Sequence, residues 1–344
     1  MGEIEKLDKN LAVKAADENG FVWYNCLEAP FHVYGLIHTE SGFVRLPQEI
    51  ADTVNANVSN LNTHTAGGRV RFSTDSPEIS IRAKMYNLGK MPHFALTGSV
   101  GFDLYADNIY FGSFIPPFDI TDGYSSTVNM KGSKLRDVTI NFPLYAGVSK
   151  LEIGIKSGSA LEAGGKYINE KPVVFYGSSI TQGGCASRPG NSYQSVVSRM
   201  LGIDYVNLGF SGGAKGEDTI AEYISNLSMS AFVYDYDHNA TQVEHIENTH
   251  AKMFAKIRAK HPDIPIIMMT RPDPFLNEMT TGTRVVIMKT YTDALAAGDR
   301  NVYFLDGRSF VHDGEGTVDG CHPNDLGFHY MAQGVGNLLK YVLL

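Results

Sequence analysis

Ser179 lies in Gly177-Ser178-Ser179-Ile180-Thr181, directly after the apolar run Val173-Val174-Phe175-Tyr176. A serine on a sharp turn at a strand end points its hydroxyl into the cleft above a sheet, where it becomes a nucleophile once a base takes its proton. A base of that kind stands near the far end of the chain, in VDGCHPNDLGF, where Asp319 and His322 are spaced to share one loop. A carboxylate on one ring nitrogen leaves the other free to face a hydroxyl. Two further segments, Asn207-Leu208-Gly209-Phe210-Ser211-Gly212-Gly213 and Tyr236-Asp237-His238-Asn239-Ala240, offer a backbone N–H and a side-chain amide to a developing oxyanion. Taken singly, these read equally well as a serine turn, a glycine-rich turn and a helix cap.

Other chemistries fit less well. Walker-type phosphate binding needs a Lys followed by Ser/Thr, which the first segment lacks, and Thr181 occupies the second glycine's place in a GxSxG elbow. A metal reading would recruit His312, Asp313, Asp319, Cys321 and His322, but no pair has i, i+4 or CxxC spacing. No metal and no cofactor is therefore expected. The other histidines are assigned by default to surface or packing. Cys185 and Cys321 adjoin the nucleophile segment and His322, so they are expected to border one cleft, as a disulfide, as coupled thiols or as unrelated buried residues. Arg188 and Arg271 follow the first and fourth strands and are candidate substrate-binding groups, with surface solvation as the alternative.

These residues need elements to hold them. From Val173 the pattern alternates strand and helix. Strands are expected at 173–176, 205–208, AFVYDYD, IPIIMMT and VYFLD, with helices around 193–201, 220–227 and 253–257, at 285–297, and a final one beginning just after His322 and running to Leu344. That is a three-layer α/β unit with a parallel sheet, whose ligands bind beyond the carboxyl ends of the strands. Pro323 suits the first turn of the last helix. Before about residue 165 the period is two, in RVRFST, EISIRA, DVTINF and KLEIGI, with turn signals between and no convincing helical stripe. That half reads as a β-sandwich or jelly roll. The expected division is 1–168 and 169–344, with EAGGKYINEKP as linker.

Composition narrows the partners. The 344 residues carry a net charge of −8 and no basic cluster, which disfavours nucleic acid. No apolar run approaches the length of a membrane span. MGEIEKLDKN has no apolar signal core, so the chain fits either a cytoplasmic protein or the mature form of an exported one. Sequence leaves the oligomeric state open.

The ordered set of segments resembles the SGNH (GDSL-like) hydrolases: GSSIT is similar to their first block, NLGFSGG to the second, YDYDHNA to the third and DGCHPND to the fifth. Gly101-Phe102-Asp103-Leu104-Tyr105 resembles the GxDLY signature of an N-terminal domain found on some SGNH-type esterases. The resemblance implies a flavodoxin-like hydrolase domain behind a β-sandwich. Ser179, His322 and Asp319 would form the triad. The oxyanion hole would be the Ser179 N–H, the Gly212 N–H and the Asn239 side chain. Ser178 and Ala240 depart from the family's usual Asp at each place. The implied activity is hydrolysis of short acyl esters, acetyl on a carbohydrate being preferred. Acyl transfer and carbohydrate binding without catalysis remain the alternatives.

Overall fold

The computed structural model describes residues 14–275, 277–311 and 313–344. The N-terminal part runs β1 (Phe21–Asn25), β2 (His32–Tyr34), β3 (Ile37–Thr39), β4 (Gly42–Val44), α1 (Gln48–Val54), α2 (Ala56–Leu61), β5 (Arg69–Thr74), β6 (Glu78–Tyr86), α3 (Leu96–Ser99), β7 (Phe102–Ala106), β8 (Ile109–Phe114), β9 (Gly123–Asn129), β10 (Arg136–Asn141), β11 (Gly147–Lys156) and β12 (Leu161–Glu162). Two large antiparallel sheets form, ordered β1-β11-β6-β9 and β12-β5-β10-β7-β8, with β2 also on β5, and β3 and β4 pair antiparallel as a separate two-stranded sheet. Alternation along each strand sends one residue in two to a shared interior: Val70 and Phe72 from β5, Val138 and Ile140 from β10, Ile79 and Ile81 from β6, and Leu151 and Ile153 from β11 all bury in one core.

The C-terminal part runs β13 (Val173–Gly177), α4 (Ser179–Gln182), α5 (Tyr193–Leu201), β14 (Tyr205–Gly209), α6 (Asp218–Ser225), β15 (Ala231–Asp235), α7 (Val243–Lys260), β16 (Ile266–Met269), α8 (Glu278–Ala296), β17 (Val302–Leu305) and α9 (Asp325–Leu343). Its sheet is parallel, in the order β14-β13-β15-β16-β17. This is the flavodoxin-like order, in which the switch point falls at the first strand. Both faces of β13 are covered. Val173 and Phe175 join Val197 of α5 and Met331 and Val335 of α9, while Val174 and Tyr176 join residues of α6, α7 and α8. Continuous apolar character in β13 follows from that double burial.

Three sequence expectations change. Helices do occur before residue 165: α1 and α2 are one or two turns each and bury Ala51 and Val58 in the core on the α6–α8 face of the parallel sheet, with Leu46 just before them. Helix α8 starts at Glu278, held by a reciprocal cap between Asn277 and Thr280. Helix α9 starts at Asp325, because Asn324 caps the N–H groups of Leu326 and Gly327, so Pro323 precedes the cap.

Candidate active site

The carboxyl ends of β13, β14 and β15 lie side by side, which brings the first three chemistry-bearing segments together. The β13 end can turn only because Gly177 lacks a side chain: a Cβ there would collide with Asp235 Oδ1 and Thr181 Oγ1. Ser178 Oγ accepts from Ile180 N–H (3.2 Å), so the serine that replaces the family's Asp still caps the short helix opened by Ser179.

Ser179 Oγ is 3.0 Å from His322 Nε2. On the far side of the ring, Nδ1–H donates to Asp319 Oδ2 at 2.8 Å, which leaves Nε2 to accept the serine proton. The other carboxylate oxygen of Asp319 accepts from the backbone N–H of His322 (2.7 Å) and of Cys321 (3.0 Å). Partial burial raises the Asp319 pKa, but the His322 and Cys321 donors and the imidazole outweigh it and hold the group at about 2. The loop is pinned by a bridge between Thr317 and Pro323 and by Val318 N–H on His322 O (2.9 Å). Sequence spacing had indicated the Asp319–His322 contact, and the structure adds Ser179 to it.

The oxyanion candidates are also close together, but they satisfy one another. Gly212 N–H donates to Asn239 Oδ1 (3.1 Å), and Asn239 Nδ2 donates to Phe210 O (3.1 Å) and Ala214 O (2.8 Å). Reversing the amide would set Nδ2 against an N–H and Oδ1 against two carbonyls, so the network fixes its orientation. Ser179 N–H has no partner among the described residues.

Both arginines are engaged away from the serine. Arg188 turns to the N-terminal domain, 3.8 Å from Asp103, 3.4 Å from Tyr105 Oη and over the Tyr110 ring. Arg271 holds Asp237, with its Nη2 on the backbone carbonyl and its Nε 3.5 Å from the carboxylate. The thiols of Cys26, Cys185 and Cys321 are free. Burial pushes Cys185 up to about 12, with smaller contributions from Asp319 and Cys321, and burial also raises Cys321. Those are inert thiols in one neighbourhood. Among the metal candidates, His312 lies outside the described residues, and Asp313 caps Glu315 N–H (3.1 Å). Two groups do bring ligand atoms within 4.8 Å of one another: His93, Cys185 and His322, and Asp319, Cys321 and His322. Both would take the imidazole away from the serine.

Residues that sequence reasoning missed come mainly from the N-terminal domain. Tyr145 Oη donates to Ser179 O (3.3 Å). Gln182 Nε2 bonds His64 Nδ1 and Leu144 O (3.2 Å each), while its Oε1 accepts from Ser211 N–H (3.0 Å). Burial lowers His64 to about 4, Arg45 adding to the effect, so the ring is neutral. Arg45 donates to Gly209 O and Leu61 O and lies 4.1 Å from the Phe210 ring. Burial lowers Arg45 to about 9. Two histidines assigned to surface or packing stand next to the triad. The His93 ring is 6.0 Å from that of His322, and half-buried His238 has Nδ1 3.7 Å from Cys321 Sγ. Their ring systems carry no motif and could be placed only by the fold.

A flavodoxin-like α/β domain with Ser, His and Asp in hydrogen-bond sequence, fused to a β-sandwich, defines a class of ester hydrolases. The chain belongs to the GDSL-like lipase/acylhydrolase family, whose model matches residues 170–340, and residues 21–161 match the N-terminus of the SGNH-hydrolase-type esterases, GxDLY. A Bacteroides ovatus protein described as a GDSL-like lipase has 29% sequence identity and a TM-score of 0.83 over 94% of this chain and 98% of its own. A salicylyl-acyltransferase from a tetracycline biosynthetic pathway shares the fold at 19% identity and TM-score 0.77, over 95% of this chain and 99% of that one. An acetyl xylan esterase of the rumen bacterium Butyrivibrio proteoclasticus does so at 12% and 0.61, over 93% and 98%. No curated protein sequence matches the chain. No described helix is long and apolar enough to cross a membrane.

Proposed function

We propose that the protein is a serine esterase that removes a short acyl group, acetyl in the first instance, from a carbohydrate. The observation that carries this reading is the relay Ser179 Oγ–His322 Nε2 (3.0 Å) and His322 Nδ1–Asp319 Oδ2 (2.8 Å). Ser179 Oγ attacks the ester carbonyl as its proton passes to Nε2, and Asp319 stabilises the imidazolium. The tetrahedral intermediate collapses, the C–O bond to the alcohol breaks, and the alcohol leaves with that proton. Water then attacks the acyl-enzyme and gives a proton to Nε2. Acetate departs, and the serine recovers its hydrogen.

Ser179 N–H is the ready oxyanion donor. Gly212 N–H joins it by exchanging Asn239 Oδ1 for the charged oxygen, a trade favoured because hydrogen bonds to an ionised acceptor are the stronger ones. The acetyl and carbohydrate assignments are supported by the fold shared with an acetyl xylan esterase. The fold shared with a salicylyl-acyltransferase makes transfer to an alcohol the second reading.

The test is release of acetate from p-nitrophenyl acetate and from acetylated xylan by the wild type and by Ser179→Ala. Turnover of both substrates that disappears in the variant is expected. Equal rates in wild type and variant would overturn the assignment of the nucleophile. A burst without turnover, relieved by an added alcohol, would favour the transferase.

A further inference from the structure

A cavity of about 170 Å3 lies at the joint between the two domains, and its lining contains no member of the triad. Its walls carry Arg69 and Arg71 from β5, Arg199 from α5 and Lys166 from the segment between the domains, and no Asp or Glu lines it. These four cations are not equally neutralised. Arg69 is fully engaged: it pairs with Asp204 and donates to Tyr167 Oη (2.8 Å), Gly67 O (2.7 Å) and Tyr205 O (3.1 Å).

Arg71 and Arg199 are not. Among the described residues neither forms a salt bridge, and Arg71 Nε, Arg71 Nη1 and Arg199 Nη1 are buried without hydrogen-bond partners. Their guanidinium planes lie against rings, Arg71 4.3 Å from that of Tyr167 and Arg199 3.9 Å from that of Tyr105. Two carboxylates lie near them beyond salt-bridge distance: Asp137 feels the charge of Arg71, and Asp103 that of Arg199 and Arg188. Asp103 accepts from Asn141 and from Gly190 N–H and faces Arg188, and Asp137 accepts from Ser73 and from Gly165 N–H. Water in the cavity would satisfy the orphan N–H groups but would not cancel the charge they carry. Two half-buried guanidinium groups with orphan N–H donors turned to one cavity, their counter-charges lying beyond direct contact, have the composition of an oxyanion receptor. Thr139 and Asn108 add polar side chains to the same wall.

We infer that this joint is a binding site for a tetrahedral oxyanion of the phosphate or sulfate class, held between Arg71 of one domain and Arg199 of the other. The anion is either a free ion or the same group carried on a sugar. Because its ligands come from both domains, occupation fastens them together. The site is separate from the ester-cleaving relay and stands or falls independently of it.

The test is calorimetric titration of the full-length protein with inorganic phosphate and with glucose 6-phosphate at fixed ionic strength, repeated for Arg71→Gln and Arg199→Gln. One equivalent of phosphate is expected to bind the wild type, and each variant to bind about 10- to 100-fold more weakly, as for loss of a hydrogen bond between charged groups. Tighter binding of glucose 6-phosphate would assign the site to a phosphorylated sugar, and binding of phosphate alone to the free ion. Absence of binding by both ligands, or undiminished binding in both variants, would overturn the inference. Either variant alone suffices if the other does not fold.

Discussion

At the residue scale the decisive contact is the carboxylate behind the imidazole. Two backbone N–H groups and the ring N–H converge on Asp319 and hold it at about 2, so it remains ionised wherever the enzyme is folded and active. A depressed carboxylate is lost only as pH falls through its folded value. Asp319 is therefore expected to add no step of its own to the pH profile of kcat/KM above about pH 3. An Asp319 carboxyl resonance that titrates above about pH 3 in an NMR titration would mean that the carboxylate protonates in the working range. Asp319→Asn keeps the shape but removes the charge and reverses the tautomer preference, and kcat is expected to drop about 10^3- to 10^4-fold. The pair was legible in sequence because its members sit three residues apart, whereas the fate of the arginines was not. Arg188 meets Asp103 from 85 positions away and Arg271 meets Asp237 from 34, and no local pattern encodes such a contact.

At the element scale the site is an arrangement of strand ends, and Asn239 is what ties two of them. Its side chain makes three hydrogen bonds to the 210–214 turn that follows β14, although Asn239 itself follows β15. Asn239→Ala removes a candidate oxyanion donor and frees that turn. The expected loss is about 10^2- to 10^3-fold in kcat, together with a lowered thermal midpoint. A change in midpoint with kcat unaffected would make Asn239 a fastener only. The strands that carry these ends were readable because a doubly buried strand is apolar throughout and a half-buried one alternates. Helices α1 and α2 were not readable. They are seven and six residues long, too short to show a stripe, and their burial depends on a partner more than a hundred residues away.

At the scale of the whole molecule the N-terminal domain helps to frame the candidate site. Leu46, Ala51 and Val58 complete the hydrophobic core on one face of the parallel sheet, and Phe94, Leu144 and Tyr145 join the core on the other. Polar contacts follow the same route: Tyr145 holds the Ser179 carbonyl, His64 holds Gln182, and Arg45 holds the carbonyl of Gly209. Asp103 of the GxDLY sequence is fully buried and accepts from Gly190 N–H (2.7 Å), which explains the value of an acid at that position. Domains joined through shared cores do not unfold separately, so calorimetry is expected to show one transition with equal calorimetric and van't Hoff enthalpies. Two resolved transitions would mean that the joint is a loose tether. Arg45→Ala distinguishes the two pictures in function. It leaves Gly209 O and Leu61 O without their buried donor, at a cost of about 1–3 kcal/mol for each unsatisfied group. If the joint frames the site, the variant lowers the thermal midpoint and kcat together, because the turn carrying Gly212 loses its anchor. A tethered domain would let the midpoint fall while kcat stayed at the wild-type value.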